Sequence, residues 1–330
     1  VLATELLMAL NVPTSQSFSL IETGEALERH DEPSPARSSV LVRLLHSHIR
    51  IGSFQRLAYL GQADNLEKLL RHTVRHYYPE LDPDLPYEQL ILSFLPDLAE
   101  RVSEMVAGWM SAGFVHGVLN TDNFNITGES FDYGPWRFLP QLDPGFTAAY
   151  FDQAGRYAYG RQPSAAMWAP CRLADCFVSA LPPETLAETL SDFYTSFEHH
   201  LARHLCWRLG VDGTDDEARQ VSALIFEAAR KSQIGWDQLF HDLYGGKLSV
   251  NSADPAWQIF AELAKLAEYV SKLPPRQTKG ATQAVRAAPL ITLKIDVVER
   301  LWEPIEEKDD WSEFTKYLQD IRALGQRLRV

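Results

Sequence analysis

His116-Gly117-Val118-Leu119-Asn120-Thr121-Asp122-Asn123, followed by Phe131-Asp132-Tyr133-Gly134-Pro135, is the stretch on which the reading of the fold turns. Asn, Asp, Gly and Pro break Phe114–Pro163 into short apolar pieces, the composition of loops with short strands. The segment follows directly on Tyr87–Ala112, where apolar residues recur at helical spacing over a long window until Gly113 stops them. Loops mounted on a rigid helix are where binding and chemistry concentrate.

Upstream, Val1–Asn11 is apolar at helical spacing and Asn11-Val12-Pro13-Thr14 ends it. Ser17–Thr23 partly alternates and Ser38–Leu45 is rich in β-branched residues, so both read as strands, with His30–Arg37 as the loop between them. Asn65–Tyr77 reads as a helix. Downstream of Pro163 the periodicity predicts helices over Ala165–Ala180, Glu184–Leu209, Asp215–Lys231 and Ala256–Lys272, and two more near the end. Asp254-Pro255 and Pro274-Pro275 punctuate them, and Leu273–Ala288 reads as a linker. The fold class is α+β, mainly α.

The chain has 330 residues, 45% of them apolar and 11% aromatic, which excludes disorder and allows a sizeable core. Its 31 basic and 44 acidic residues give a net charge of −13, which argues against nucleic acid or an anionic membrane as main partner. No apolar run is long enough to span a membrane. Cys171, Cys176 and Cys206 read as reduced, mostly buried thiols, and bacterial cytoplasm is the expected location, or the mitochondrion in a eukaryote. The first helix begins without a cap and the chain without Met, so the expectation is that a preceding segment exists.

Hard divalent cations take carboxylate and amide oxygens. An Asn from one short loop and an Asp from the next would supply them from neighbouring backbones, as protein kinases do with the Asn of His-Arg-Asp-Leu-x-x-x-Asn and the Asp of Asp-Phe-Gly. In that pattern the Asn is seven places after the His, and Asn123 is seven after His116. Asp132-Tyr133-Gly134 then stands in place of Asp-Phe-Gly. The kinase base would fall on Val118, which carries no acid, whereas Asp122 adjoins Asn123. The plainer alternative is turn chemistry, with Asp122-Asn123 a turn and Asp132 a turn residue ahead of Gly134-Pro135.

The sequence resembles the selenoprotein O (SelO) family of pseudokinases. The family's H-G-V-M-N-T-D-N, I-D-Y-G-P and G-R-Y-x-F-x-x-Q-P blocks correspond to 116–123, 131–135 and 155–163 here. Its S-E-A-M-x-A-L-G-I-P-T-T block is similar to Thr4–Ser15, and its R-V-x-x-S-H-I-R-F-G-x-F block to Arg43–Phe54. The five blocks keep their order and cover Val1 to about Arg172.

The resemblance implies a protein-kinase-like fold that binds ATP in a flipped orientation and transfers AMP to Ser, Thr or Tyr hydroxyls of proteins. It implies Asp122 as proton acceptor, Asn123 and Asp132 as ligands of Mg²⁺ (or Mn²⁺), and Arg43 and Arg50, with Asp132, as nucleotide-binding residues. The implied organisation is the remainder of an N-lobe over 1–60, a C-lobe with the catalytic and metal loops over 61–180, and a helical extension over 181–330. Partners would be protein substrates, with no nucleic acid or membrane, and the chain would be a monomer. The family's Gly-rich segment, strand lysine and paired glutamate lie ahead of the position of Val1, and its C-terminal Cys pair has no counterpart in Leu324–Val330. Tyr150-Phe151-Asp152-Gln153 replaces the family's usual N-H-S/T-D.

Arg43 and Arg50 would point to opposite faces of one continuous strand, so a bend is required, and His46-Ser47-His48 is its expected place. By themselves the two arginines would read as surface ion pairs. Other clusters have blander readings. His199, His200 and His204 share a helix without a His-Glu-x-x-His pattern and read as a solvated face, as do His72 and His76. Trp136, Trp168, Trp207, Trp236, Trp257, Trp302 and Trp311 read as core or helix-packing residues. Arg156, with Tyr157 and Gln162, either borders a substrate groove or ties a loop to the core. Rival functions are a kinase-like phosphotransferase and a catalytically inactive binding module.

Overall fold

Among the described residues helices carry most of the chain, and strands form two small antiparallel sheets. In order these are α1 (Leu2–Ala9), β1 (Gln16–Leu27), β2 (Ala36–Leu44), α2 (Ile51–Tyr59), α3 (Ala63–Tyr77), α4 (Tyr87–Ala112), β3 (Phe114–His116), β4 (Trp136–Phe138), α5 (Gln162–Ala174), α6 (Pro183–Glu188), α7 (Phe193–Leu209), α8 (Asp215–Ser232), α9 (Trp236–Leu243), α10 (Ala256–Ile259), α11 (Ala261–Val270), α12 (Lys279–Arg286), α13 (Ile295–Lys308) and α14 (Ser312–Arg329). This computed structural model describes residues 1–28, 34–248 and 255–329. Residues 30–33 of the expected His30–Arg37 loop lie outside the described residues, as does Asp254 of the expected Asp254-Pro255 break.

The α4 helix is the central element. Leu90, Ile91, Phe94, Leu95, Leu98 and Val102 form its apolar stripe, and from Met105 to Ala112 it is buried on every side. Pro96, which removes one helical hydrogen bond, lies on the exposed face, where water can take the freed carbonyl. Gly113 ends the helix with φ +71°, the left-handed cap that glycine adopts without a Cβ penalty. Helix α7 lies along α4, and α8 and α11 extend the layer. Helix α8 is fixed locally by a capping box between Thr214 and Glu217, with acids in its first turn and Arg230 and Lys231 in its last.

The two ends of the chain meet: α1 packs on α14, and buried Glu5 accepts from Arg322 at 3.0 and 2.5 Å. In the same region Arg208 and Asp237, both buried, form an ion pair, and Arg208 Nη1 donates to Ser111 O at the end of α4 (2.6 Å). No helix of the described residues is long and apolar enough to cross a membrane.

Several boundaries differ from the sequence reading, each for a local reason. Strand pairing with β2 carries β1 out to Leu27, with register shifts between Ser17 and Ser19 and between Glu22 and Ala26. Helix α2 was not expected, because its window is too short to show a period. The single helix expected over Glu184–Leu209 is two, α6 and α7, and that over Ala256–Lys272 breaks at Phe260, whose backbone is extended. The helix expected over Ala165–Ala180 starts earlier, at Gln162, and gives way to a 3-10 turn at Asp175. An additional helix, α9, follows Gly235. Leu273–Ala288 is not a linker: Thr278 caps α12, Arg276 N donates to Gly210 O (2.9 Å), Pro274 O accepts from Asp212 N (2.8 Å) and Gln277 donates to Arg327 O (2.8 Å).

Candidate active site

Five segments far apart in sequence converge around the loop between β3 and β4. The short hairpin arms pair Phe114 with Phe138 and His116 with Trp136, and the chain from 117 to 135 runs between them. Gly117 N donates to Pro135 O (2.9 Å), closing the base of this excursion.

His116 joins its two halves. Its Nδ1 accepts from Val118 N (3.2 Å) and its Nε2 lies 3.1 Å from Phe131 O, a geometry that assigns the proton to Nε2. Burial pushes the imidazole down to about 4, partly opposed by the bond to Phe131 and the charge of Asp132, so the ring is neutral at physiological pH. Gln162, fully buried, holds the strand from behind: it accepts from His116 N (2.9 Å) and donates to Phe114 O (2.9 Å).

Thr121–Asn123 forms a 3-10 turn whose first residue is preceded by Asn120, the cap, with Asp122 N donating to Asn120 Oδ1 (3.0 Å). Thr121 donates from its hydroxyl to Gln55 of α2. Asn123 is buried and donates from Nδ2 to Val118 O (2.9 Å), which leaves its Oδ1 as an acceptor. Asp122 is exposed, and its carboxylate lies against Gly52 at the start of α2.

Asp132 has φ +62°, a left-handed conformation that Asp tolerates better than most residues. The flanking chain is held on both sides. Ser130 N donates to Pro13 O (2.9 Å), Ser15 N to Ser130 O (2.8 Å), and Trp109 Nε1 to Ser130 Oγ (2.8 Å). Tyr133 shares a hydrogen bond with the Thr14 hydroxyl and stands edge-on to Phe114, and burial raises its phenol above the usual range.

The chain bends at His46, within the expected stretch, and leaves β2 for a bridge between Arg50 and Asn125. Ile51 N donates to Phe124 O (3.1 Å), Ile126 N to Ile49 O (2.9 Å) and Asn125 Nδ2 to Ser47 O. The bend sets the two arginines against successive residues, Asp132 and Phe131. Arg43 Nη2 is 3.8 Å from Asp132 Oδ1, and the Arg50 guanidinium is 5.1 Å from the ring centre of Phe131. Arg43 Nη1 is buried without a hydrogen-bond partner among the described residues.

Sequence reasoning missed Gly52, Gln55, Thr14 and Asn120 as members of this cluster. Gly52 lies inside the Arg43–Phe54 block, but nothing local marks it, because the helix that holds it is too short to show a period. Gln162 anchors β3 rather than bordering a groove. Arg156 is exposed, over the rings of Tyr157 (5.4 Å) and Trp168 (5.8 Å), and does not enter the core.

The remaining candidates stand apart. His200 and His204 are not a solvated face: His200 Nε2 is 2.6 Å from Glu100 Oε1 of α4, and burial pushes the His204 imidazole down to about 4. His72 and His76 are exposed. Trp168 and Trp302 are exposed, whereas Trp109, Trp236 and Trp257 are in the core. The three cysteines are free, and burial pushes the Cys176 and Cys206 thiols up to about 12 and about 11.

Among the described residues no three His, Cys, Asp or Glu side chains form a metal-binding group. A site with few protein ligands suits Mg²⁺, which takes one or two protein oxygens and completes its shell with phosphate and water. Asn123 Oδ1 and Asp132 could provide them, and the buried, unpartnered Arg43 Nη1 fits a phosphate oxygen.

Comparison with known proteins shows the family. The family model described as protein adenylyltransferase SelO matches residues 1–322. The protein nucleotidyltransferase YdiU of Synechocystis sp. is 37% identical over 98% of this chain and 71% of its own length. That of Trichormus variabilis is 38% identical over 98% and 70%, and that of Rhodopseudomonas palustris 32% over 96% and 66%. The chain belongs to the SelO family of protein adenylyltransferases, and it is a nucleotidyltransferase.

Proposed function

We propose that the cluster of Arg43, Arg50, Asp122, Asn123 and Asp132 transfers AMP from ATP to Ser, Thr or Tyr hydroxyls of protein substrates, releasing pyrophosphate. The substrate hydroxyl oxygen attacks the α-phosphorus and its proton passes to the Asp122 carboxylate. The bond between the α-phosphorus and the bridging oxygen breaks, and that oxygen leaves with the electron pair as part of pyrophosphate. Arg43 and Arg50 orient the phosphates and offset their charge, the kind of positioning and charge stabilisation on which such transfers depend. Asn123 and Asp132 would hold Mg²⁺ or Mn²⁺, which when bound screens the phosphate charge. His116 keeps the two loops in register and stays neutral.

The observation that carries the reading is the meeting of Arg43 with Asp132, with one guanidinium nitrogen buried and unpartnered. An anion is the ligand that such a group lacks. The kinase-like arrangement is part of the proposal: 1–60 as the remainder of an N-lobe, 61–180 as a C-lobe and 181–330 as a helical extension. We also place the protein in the cytoplasm as a monomer.

Label transfer tests the reading. With ATP labelled at the α-phosphate, protein gains label and a mass increase of one AMP unit, and Asp132→Ala loses both. A product carrying only phosphate overturns the reaction, and equal labelling by Asp132→Ala overturns the metal assignment.

A further inference from the structure

Gly52 is the second residue of α2, in ordinary helical backbone without a positive φ. Nothing about its conformation requires glycine, and glycine is unfavourable there relative to alanine. Its neighbourhood does require it. A Cβ built on Gly52 would lie 2.0 Å from Oδ1 of Asp122 and 3.0 Å from its Cγ. The carboxylate occupies the volume that any other side chain at position 52 would fill.

We propose that Gly52 is a positioning residue, whose missing side chain forms the seat that fixes the direction of the Asp122 carboxylate. The inference rests on the reading of Asp122 as proton acceptor and extends it to the residue that aims it. The Asp122 backbone cannot yield easily to an added methyl. Its N–H is held by Asn120 Oδ1 (3.0 Å), Asn123 N by Asn120 O (3.0 Å) and Asn123 Nδ2 by Val118 O (2.9 Å). Thr121, one residue earlier, bonds Gln55 on the same helix as Gly52, so loop and helix move as one body. The side-chain torsion of Asp122 is what remains free. A methyl at position 52 therefore rotates the carboxylate off its seat and leaves helix and loop in place. The first turn of α2 also presents its N-terminal dipole to this carboxylate, an arrangement favourable to negative charge.

Gly52→Ala in the full chain tests the assignment by four measurements. Its melting temperature is expected to equal or exceed the parent's, since alanine favours the helix. Its crystal structure is expected to show the Asp122 carboxylate rotated, with the backbone of 120–123 unmoved. Transfer of label from α-labelled ATP is expected to fall about 10- to 100-fold in kcat, the scale of a small misplacement, with KM for ATP unchanged. In an Asp122→Ala background, adding Gly52→Ala is expected to cost nothing further, because the atoms it would meet are gone.

An unmoved carboxylate in Gly52→Ala, or parental kcat alongside an impaired Asp122→Ala, overturns the positioning role. Parental kcat in Asp122→Ala instead overturns the base assignment, and the crystal structure still decides whether Gly52 sets the carboxylate's direction. An equal loss from Gly52→Ala in both backgrounds makes the effect structural and overturns the proposal.

Discussion

Arg43 Nη2 stands 3.8 Å from Asp132 Oδ1, an ion pair between residues 89 positions apart whose other guanidinium nitrogen is buried with no partner. The separation is longer than a hydrogen bond, so charge rather than a shared proton joins the two side chains.

On the proposed reading, Arg43 sets nucleotide affinity. Arg43→Lys keeps the charge but loses the planar fork, and Arg43→Ala loses both. A hydrogen bond to a charged group contributes about 1.5–3 kcal/mol, so binding of ATP with Mg²⁺ weakens by roughly 10- to 100-fold in Arg43→Ala and less in Arg43→Lys. Titration calorimetry reads this directly, and equal affinity in all three proteins contradicts the role.

Gln162 is expected to be as important as the loop residues it does not touch. Gln162→Ala leaves the buried His116 N–H and Phe114 carbonyl unsatisfied, at about 1–3 kcal/mol each. Chemical denaturation should show that loss, and label transfer should fall with it because β3 carries the loop to which the proposal assigns catalysis. Stability within error of the parent would show that water replaces the amide.

Buried histidines make the fold acid-sensitive in a defined window. His116 and His204 are both pushed down by burial from 6.5 to about 4. Between those values the unfolded chain binds protons that the folded chain excludes, so stability falls as pH drops from 6.5 to about 4, by about 1.4 kcal/mol per pH unit for each histidine. Above 6.5 their contribution is fully present and constant. Urea midpoints across this range measure the slope, and His204→Gln, remote from the loops, should make it shallower.

The Arg208–Asp237 pair is expected to be costly to break and cheap to replace. Asp237→Ala leaves a buried guanidinium without its carboxylate, a loss of about 3–5 kcal/mol. Replacing both partners, as in Arg208→Met with Asp237→Leu, should recover much of it, because neither charge then remains in the interior. Denaturation of the single and double variants separates the two outcomes.

Local interactions wrote much of the fold into the sequence. Apolar spacing over Tyr87–Ala112 with Gly113 behind it marks α4, because side chains three and four apart share a face and only glycine takes the left-handed cap easily. The bend at His46 was expected because the resemblance put Arg43 and Arg50 on one nucleotide, whereas a continuous strand would point them apart. The break at Phe260 was not legible, since an extended residue between two helical periods depends on what the helices pack against.

The site divides in the same way. Residue types and spacing in 116–134 pointed to oxygen donors beside an acid, and the family resemblance added Arg43 and Arg50. That Arg43 meets Asp132, that Gln162 holds His116 and that Gly52 yields its volume to Asp122 were decided only in three dimensions. Each joins residues tens of positions apart, and no local period or cap encodes which distant side chain fills a given space. The sequence by itself determined the long helices α3, α4 and α8 and the chemical character of the loop. Tertiary packing, which satisfies buried polar groups and excludes overlapping volumes, decided which of those residues face one another.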